Sequence, residues 1–320
     1  MQYYDLVVIG GGVSGISSAI AAKKSGVSKV MILEKDSELG GMMNQCIHSG
    51  FGKSLFNEEL TGPELSQRFI DRIISLGIEY KLNTMALKIG KDKVITAVNS
   101  EDGIFGINGK TIIFAAGCME NTKEAVDILG SKTAGIYTAG TAQRIVNTEG
   151  FLPGKQAVII GSGNLGLMMA RTMFIEGAKV MAVIESGAKP KGREDYVQEC
   201  IEDFDIPMIL MHKLTKIHGD ERVESITMAE VVSQGRRIEG TEKEIGCDTI
   251  LLAVDLMPNT AVLKEADIAL KGGISTDVEG IFVCGNASHI HEDVDSIVEE
   301  GEKAGTAAAK FVESLIRKGV

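Results

Sequence analysis

Three groups of residues in this 320-residue sequence could do chemistry. The first is Cys46-Ile-His48, inside Gly40-Gly-Met-Met-Asn-Gln-Cys-Ile-His-Ser-Gly-Phe-Gly52. A thiol becomes a nucleophile or redox group when its pKa is lowered, and an imidazole two residues away could supply a proton. The five cysteines, Cys46, Cys118, Cys200, Cys247 and Cys284, are odd in number, scattered, and form no Cys-x-x-Cys pair. Local spacing therefore builds neither a disulfide framework nor a four-cysteine metal centre. The second group is His289-Ile-His291-Glu292-Asp293-x-Asp295, whose histidines and acids are metal-ligating types, although histidines two apart converge only on an extended segment. The third is a pair of glycine-rich strings suited to phosphate binding.

Those strings dictate the elements around them. Asp5 to Ile9 is a short β-branched run that meets Gly10-Gly-Gly-Val-Ser-Gly15 and then a small-residue helical pattern, Ile16 to Lys24. Gly10 permits the tight turn, Gly12 lets a pyrophosphate approach the backbone, and Gly15 lets helix and strand pack closely, with Val13 and Ser14 in the amide-bearing first turn. The next strand pattern, Lys29 to Leu33, ends in Glu34 and Lys35, where the fingerprint places an acid for the ribose hydroxyls. The order recurs at Ala157-Val-Ile-Ile-Gly-Ser-Gly-Asn-Leu-Gly166, with Gly161, Gly163, Asn164, Leu165 and Gly166 as the cradle, helix Leu167 to Glu176, strand Lys179 to Ile184, and Glu185. Two cradles imply two dinucleotides. Glu185 repels the 2′-phosphate of NADP and favours NAD, although Lys189, Lys191 and Arg193 lie nearby. That run and Arg236-Arg237 read as solvated surface or a nucleotide-side contact. Strand patterns at 94–98 and 111–115 follow the first cradle, and others at 225–231 and 249–254 follow the second. A last strand, 280–284, precedes Gly285-Asn286 and a helical pattern from about 293 to 315.

Composition limits the alternatives. A net charge of -11 leaves no basic excess for nucleic acid. The apolar runs are far shorter than the roughly 20 residues of a membrane-spanning helix. No basic stretch followed by a cleavable apolar one opens the chain, so a cytoplasmic location is expected. The 38 glycines and 14 methionines, with no tryptophan, suit tight turns around bulky ligands, and the length suits two domains.

The whole chain resembles the two-dinucleotide FAD/NAD(P) flavoproteins, the pyridine nucleotide-disulfide oxidoreductase superfamily with the thioredoxin reductase-like fold. The resemblance rests on "VVIGGGVSG" with Glu34, "IIFAAG" ending at Gly117, "VIIGSGNLG" with Glu185, and "GIFVCGN" ending at Asn286. It implies an α/β fold of two Rossmann-like domains, the NAD domain (121–264) inserted in a split FAD domain (1–120 and 265–320). It assigns Gly10, Gly12, Val13, Ser14, Gly15, Glu34, Lys35, Gly41, Gly117, Gly285 and Asn286 to FAD. NAD falls to Gly161, Gly163, Asn164, Leu165, Gly166 and Glu185. Asn286 stands where the family has an aspartate on the ribityl chain, and its carbonyl can still accept. The histidine-rich segment would then open the C-terminal helix beside the flavin, with Asp293 to Asp295 at its positive end, and no metal is expected.

In thioredoxin reductases a Cys-Ala-Thr-Cys pair sits where this chain reads Ala139-Gly-Thr-Ala142. In glutathione and lipoamide reductases the pair follows the glycines matched here by Gly40-Gly41, and only the second partner survives, as Cys46. The resemblance thus places Cys46 and His48 at the flavin as candidate catalytic residues. Cys46 stays open between flavin chemistry and apolar packing, and His48 between proton donor and a satisfied supporting histidine. "NQCIHSGFG", "EELTGPE" and "CGNASHIHEDVD" look like the small flavoprotein subunits of opine oxidase, hydrogen cyanide synthase and glycerol-3-phosphate dehydrogenase-like complexes. That branch implies hydride transfer between nicotinamide and flavin, and partners comprising a second flavoprotein dehydrogenase subunit and an iron-sulfur subunit. Homo-oligomerisation stays open. The alternatives are a stand-alone NADH:acceptor reductase using Cys46, and a complex subunit whose nucleotide sites are structural.

Overall fold

A computed structural model describes residues 1–121, 129–130, 133–232 and 235–319. The chain divides into two compact units, Met1–Met119 with Met257–Val320, and Glu120–Leu256.

In the first unit, β1 (Gln2–Ile9) is followed by helix α1 (Val13–Lys24) and β2 (Val30–Leu33). Three more short strands come next, β3 (Glu79–Lys81), β4 (Met85–Ile89) and β5 (Val94–Asn99), and then the long β6 (Gly103–Phe114). β1 lies between β2 and β6 in a parallel sheet that continues to β3 on one side and to strand Ile281–Val283 on the other. β6 is long enough to serve two neighbours: its first half pairs antiparallel with β5, its second half parallel with β1. The apolar ends of β1, β2 and β6 are buried on both faces, as a parallel sheet covered on both sides requires.

Register then decides where function can sit. Ile9 is level with Leu33 and with Phe114, and Phe114 with Val283. The residues that follow, Gly10, Glu34, Ala115 to Gly117 and Cys284 to Gly285, therefore leave the sheet along one carboxyl edge, where open α/β sheets bind ligands. Behind that edge α1 packs on the C-terminal helix Val294–Lys318 at unusually close range. A Cβ on Gly301 would lie 2.1 Å from Ser17 Oγ, and one on Gly305 2.1 Å from the Ser18 carbonyl oxygen. Helix Gly62–Ser75 covers the same side, started by a reciprocal capping box between Thr61 and Glu64 and burying Leu65, Phe69 and Ile73.

The second unit repeats the plan. Strand Gln156–Ile160 lies between Lys179–Ile184 and Thr249–Leu252, all parallel, with Ile160 level with Ile184 and Leu252. Helix Asn164–Ile175 follows the central strand, and an antiparallel set, His212–His218, Ser225–Glu230 and Lys243–Gly246, is appended. The second changeover falls at 256/257 rather than at 264/265 as expected from sequence. The physical reason is that Asn259 N already bonds the Gly117 carbonyl, and Leu263 is fully buried in the first unit's core.

Candidate dinucleotide sites

At the first edge Gly10 has φ 107°, and a Cβ there would lie 2.3 Å from the Ala115 carbonyl oxygen, so strand and turn can meet only through glycine. A Cβ on Gly15 would lie 1.9 Å from the Gly10 carbonyl oxygen, which holds α1 against the strand end. Gly12 differs: with φ -76° and ψ 179° its backbone suits any residue, yet a Cβ would meet nothing within 4 Å. The room lies over the first turn of α1, which has no side-chain cap. Its amide donors and the positive helix end are thus available to an anion. The buried Glu34 carboxylate accepts from Gly11 N at 2.6 Å and from Asp36 N at 2.9 Å. Lys35 is exposed beside Asp36. Gly40 N bonds the Gly11 carbonyl at 2.8 Å, and Gly41 lies against Gly12, bringing the segment that carries Cys46 to the cradle's edge.

The second edge has the same arrangement. A Cβ on Gly161 would lie 2.3 Å from the Ala253 carbonyl oxygen, one on Gly166 2.3 Å from the Gly161 carbonyl oxygen, and one on Gly163 would meet nothing within 4 Å. Glu185 accepts from Ser162 N at 3.1 Å, Ser162 Oγ at 2.7 Å, Ser186 Oγ at 3.2 Å and Gly187 N at 2.8 Å. Burial opposes its ionisation, but the bonds from Gly187 and Ser162 and the nearby Lys191 ammonium outweigh this and hold the carboxyl below its ordinary value. The 189–193 run is more than solvated surface. Lys191 N bonds Ser162 Oγ, Gly192 N bonds the Ser162 carbonyl, and Arg193 N bonds Asn164 Oδ1 at 2.9 Å, so this loop folds onto the cradle. Leu165 is half-buried in the first turn of the helix and packs against the unit's core.

Cys46 follows a short 3-10 turn, Gly41–Gln45, and its carbonyl accepts from Gly62 N at 2.9 Å. Its thiol donates to the Met42 carbonyl at 3.3 Å, and burial pushes its pKa up to about 11. His48 Nδ1 donates to the Ser49 carbonyl at 2.9 Å, and the ring packs on Phe51. No hydrogen bond joins Cys46 and His48 among the described residues. None of the five cysteines is in a disulfide, and burial also raises Cys247 and Cys284.

The Asn286 amide is turned inward. Its Oδ1 accepts from His291 N at 3.0 Å and faces His291 Nδ1 at 3.2 Å, while Nδ2 points to Cys118 Sγ at 3.8 Å. The acceptor expected to meet a ribityl chain thus already has partners within the unit. Gly285 N donates to Glu300 Oε2 at 2.7 Å. Sequence reading missed Glu300, a buried acid on the C-terminal helix. Its only signal is a charged residue on the buried face that also carries Val298, Gly301 and Ala304. The acids beside the histidines go elsewhere: Asp293 caps the helix through Ser296 N, and Asp295 bonds Ser54.

Residues 4–308 match the family described as pyridine nucleotide-disulphide oxidoreductase. Thioredoxin reductase of Bacillus subtilis is 22% identical, covering 98% of this chain and 96% of that protein. The solved thioredoxin reductase of T. acidophilum superposes with TM-score 0.78 at 25% identity, covering 98% of this chain and 100% of that one. L-proline dehydrogenase of P. horikoshii superposes with TM-score 0.66 at 18% identity over 98% of this chain and 56% of that chain.

The two cradles and this agreement define a flavin- and pyridine-nucleotide-dependent oxidoreductase with the thioredoxin reductase-like α/β fold. The chain belongs to the pyridine nucleotide-disulphide oxidoreductase family. The open space over Gly12 and Gly163, uncapped helix amides and buried acids fit a dinucleotide at each edge. No helix among the described residues is long and apolar enough to cross a membrane.

Proposed function

We propose that this chain is an FAD- and NAD(H)-dependent oxidoreductase working without a dithiol relay, as the electron-transfer subunit of a multi-subunit dehydrogenase of the glycerol-3-phosphate or amino-acid/opine type. One observation carries the first half of the reading. Where thioredoxin reductases hold their cysteine pair, Ala139 and Ala142 have no exposed surface and pack in the second unit's core. Those positions serve packing and offer no sulfur. The remaining family position holds Cys46 alone, whose raised pKa keeps it a thiol near neutral pH, which disfavours thiolate chemistry.

When bound, the two cofactors supply hydride donation and acceptance. The chain's own residues bind and orient: Gly12 with the first-turn amides of α1, and Gly163 with those of helix Asn164–Ile175, receive phosphates, while Glu34 and Glu185 accept from ribose hydroxyls. Glu185 also disfavours a 2′-phosphate, supporting NADH over NADPH. The electron-transfer role is supported by sequence strings that look like those of the small flavoprotein subunits, by the likeness in fold to P. horikoshii L-proline dehydrogenase, and by the division of the described residues into two units with no further substrate domain among them. Partners would be a second flavoprotein dehydrogenase subunit and an iron-sulfur subunit, in the cytoplasm.

The test is anaerobic flavin bleaching by NADH and NADPH, on the chain alone and on whatever complex co-purifies from its source. Bleaching by NADH, with substrate turnover confined to the complex, is expected. Catalytic reduction of a disulfide by the isolated chain, lost in Cys46→Ser, would establish the stand-alone thiol reductase instead, and preference for NADPH would overturn the role given to Glu185.

A further inference from the structure

Among the described residues, one cluster of metal-ligating side chains outside the cradles lies wholly in the first unit. His289 and His291 stack with ring centroids 4.0 Å apart on the irregular segment before the C-terminal helix, both facing Glu300. His289 Nδ1 lies 3.5 Å from Glu300 Oε1 and His291 Nε2 lies 3.5 Å from Oε2, and the three ligand atoms all fall within 4.8 Å of one another. We propose that His289, His291 and Glu300 form a binding site for one divalent cation of the zinc type. The sequence gives no reason to expect a metal, because histidines two apart converge only on an extended segment and the family resemblance puts this stretch at the start of the C-terminal helix; the third ligand, Glu300, comes from that helix.

Separations favour this over hydrogen bonding. An N–H···O bond centres near 2.9–3.0 Å, whereas two ligands of a tetrahedral ion with bonds of about 2.0–2.1 Å stand about 3.3 Å apart. The 3.5 Å gap between His289 Nδ1 and Glu300 Oε1 lies near the second figure. Orientation agrees. In the tautomer that donates from Nδ1 to Asn286 Oδ1, His291 carries a lone pair on Nε2 beside the Glu300 carboxylate. That is how a ligating histidine is fixed by a supporting acceptor. Glu300 is likewise held: Oε2 accepts from Gly285 N at 2.7 Å and Ser288 Oγ at 2.7 Å, leaving Oε1 for the ion. Ser288 Oγ is also 2.9 Å from His289 Nδ1 and 2.9 Å from the Gly285 carbonyl, and keeps its bond to Glu300 when the ion takes the Nδ1 lone pair. Two imidazoles and one carboxylate suit zinc and neighbouring borderline ions, and three protein ligands leave a position open.

This inference stands apart from the proposed electron-transfer role, and its readout is binding. The full-length chain, purified with its flavin and stripped with a chelator, is titrated calorimetrically with Zn2+ and examined by visible spectroscopy with Co2+. One equivalent per chain and tetrahedral cobalt bands to the red of the flavin are expected. His289→Ala, at a largely exposed side chain, should keep the flavin spectrum and weaken zinc binding by at least about tenfold, the lower end for even a supporting residue. His291→Ala and Glu300→Gln should do the same where they fold. Equal zinc affinity in wild type and His289→Ala, or no stoichiometric binding to wild type, would overturn the site and leave an imidazolium–carboxylate pair.

Discussion

Replacing Gly12 by alanine separates binding from folding. The backbone there, φ -76° and ψ 179°, is open to any residue, and the added methyl meets no protein atom within 4 Å. Such a Gly→Ala change stabilises by about 0.4–1 kcal/mol through the unfolded chain, so the protein without its cofactor should melt at the same or a slightly higher temperature. If the pyrophosphate lies over Gly12, the methyl occupies its space. Overpacking of that kind costs about 1–3 kcal/mol, or roughly a 5- to 150-fold weaker FAD affinity. Gly15→Ala is the contrast: its Cβ would lie 1.9 Å from the Gly10 carbonyl oxygen, so it should unfold the first unit whether or not FAD is present. Gly163→Ala should repeat the Gly12 result for NADH while leaving FAD retention unchanged. Fluorescence titration of the flavin-stripped protein and thermal melts with and without cofactor provide the readouts. Unchanged FAD affinity in a folded Gly12→Ala protein would refute placement of the pyrophosphate at this turn.

Cys46→Ser should retain NADH-dependent flavin reduction and an unchanged flavin spectrum, and alkylation of Cys46, followed by mass spectrometry, should keep accelerating with pH up to about 11 instead of levelling off near the ordinary thiol value of 9. Glu185→Gln should destabilise the second unit by about 1.5–3 kcal/mol, the scale of hydrogen bonds to a charged group. Because the folded-state pKa of Glu185 is lowered, its contribution is complete above the ordinary value of 4.5 and lost as pH falls through the folded value, so denaturation midpoints of wild type and variant should converge in acid. Gly301→Ala should cost about 1–3 kcal/mol, measured by urea denaturation, because its methyl would press on Ser17 and the Ser14 carbonyl between α1 and the C-terminal helix. Purified protein should retain FAD through gel filtration while losing NAD, as absorbance and mass spectrometry of the released nucleotides would report.

Both cradles were legible in sequence because their physics is local: a strand end, a glycine turn and a helix start are consecutive, and the acid follows one strand later. The shared carboxyl edge was equally accessible once β1, β2 and β6 were assigned, since parallel register fixes where each strand exits. Glu300 was hidden because its role arises from packing of a helix that returns to Gly285 and the two histidines after a turn. Asn286 was assigned from the family pattern, but the direction of its amide depends on His291 and Cys118, which no spacing rule links. The Cys46 pKa likewise depends on burial, which comes from packing against the first unit's core.

The two acids show how a repeated motif can serve different ends. Glu34 receives two hydrogen bonds, from Gly11 N and Asp36 N. Glu185 receives four, two from Ser162, one from Ser186 and one from Gly187, and has Lys191 at 3.9 Å. A carboxylate offers about four acceptor positions. Ribose hydroxyls can therefore add to Glu34 without displacing its partners, whereas at Glu185 they must replace internal bonds, and the exchange returns less net free energy. On the assignment of flavin to the first unit and nicotinamide to the second, the single change from Gly11 to Ser162 contributes the hydroxyl that fills one of those positions. It favours a cofactor that stays at the first edge and a nucleotide that comes and goes at the second.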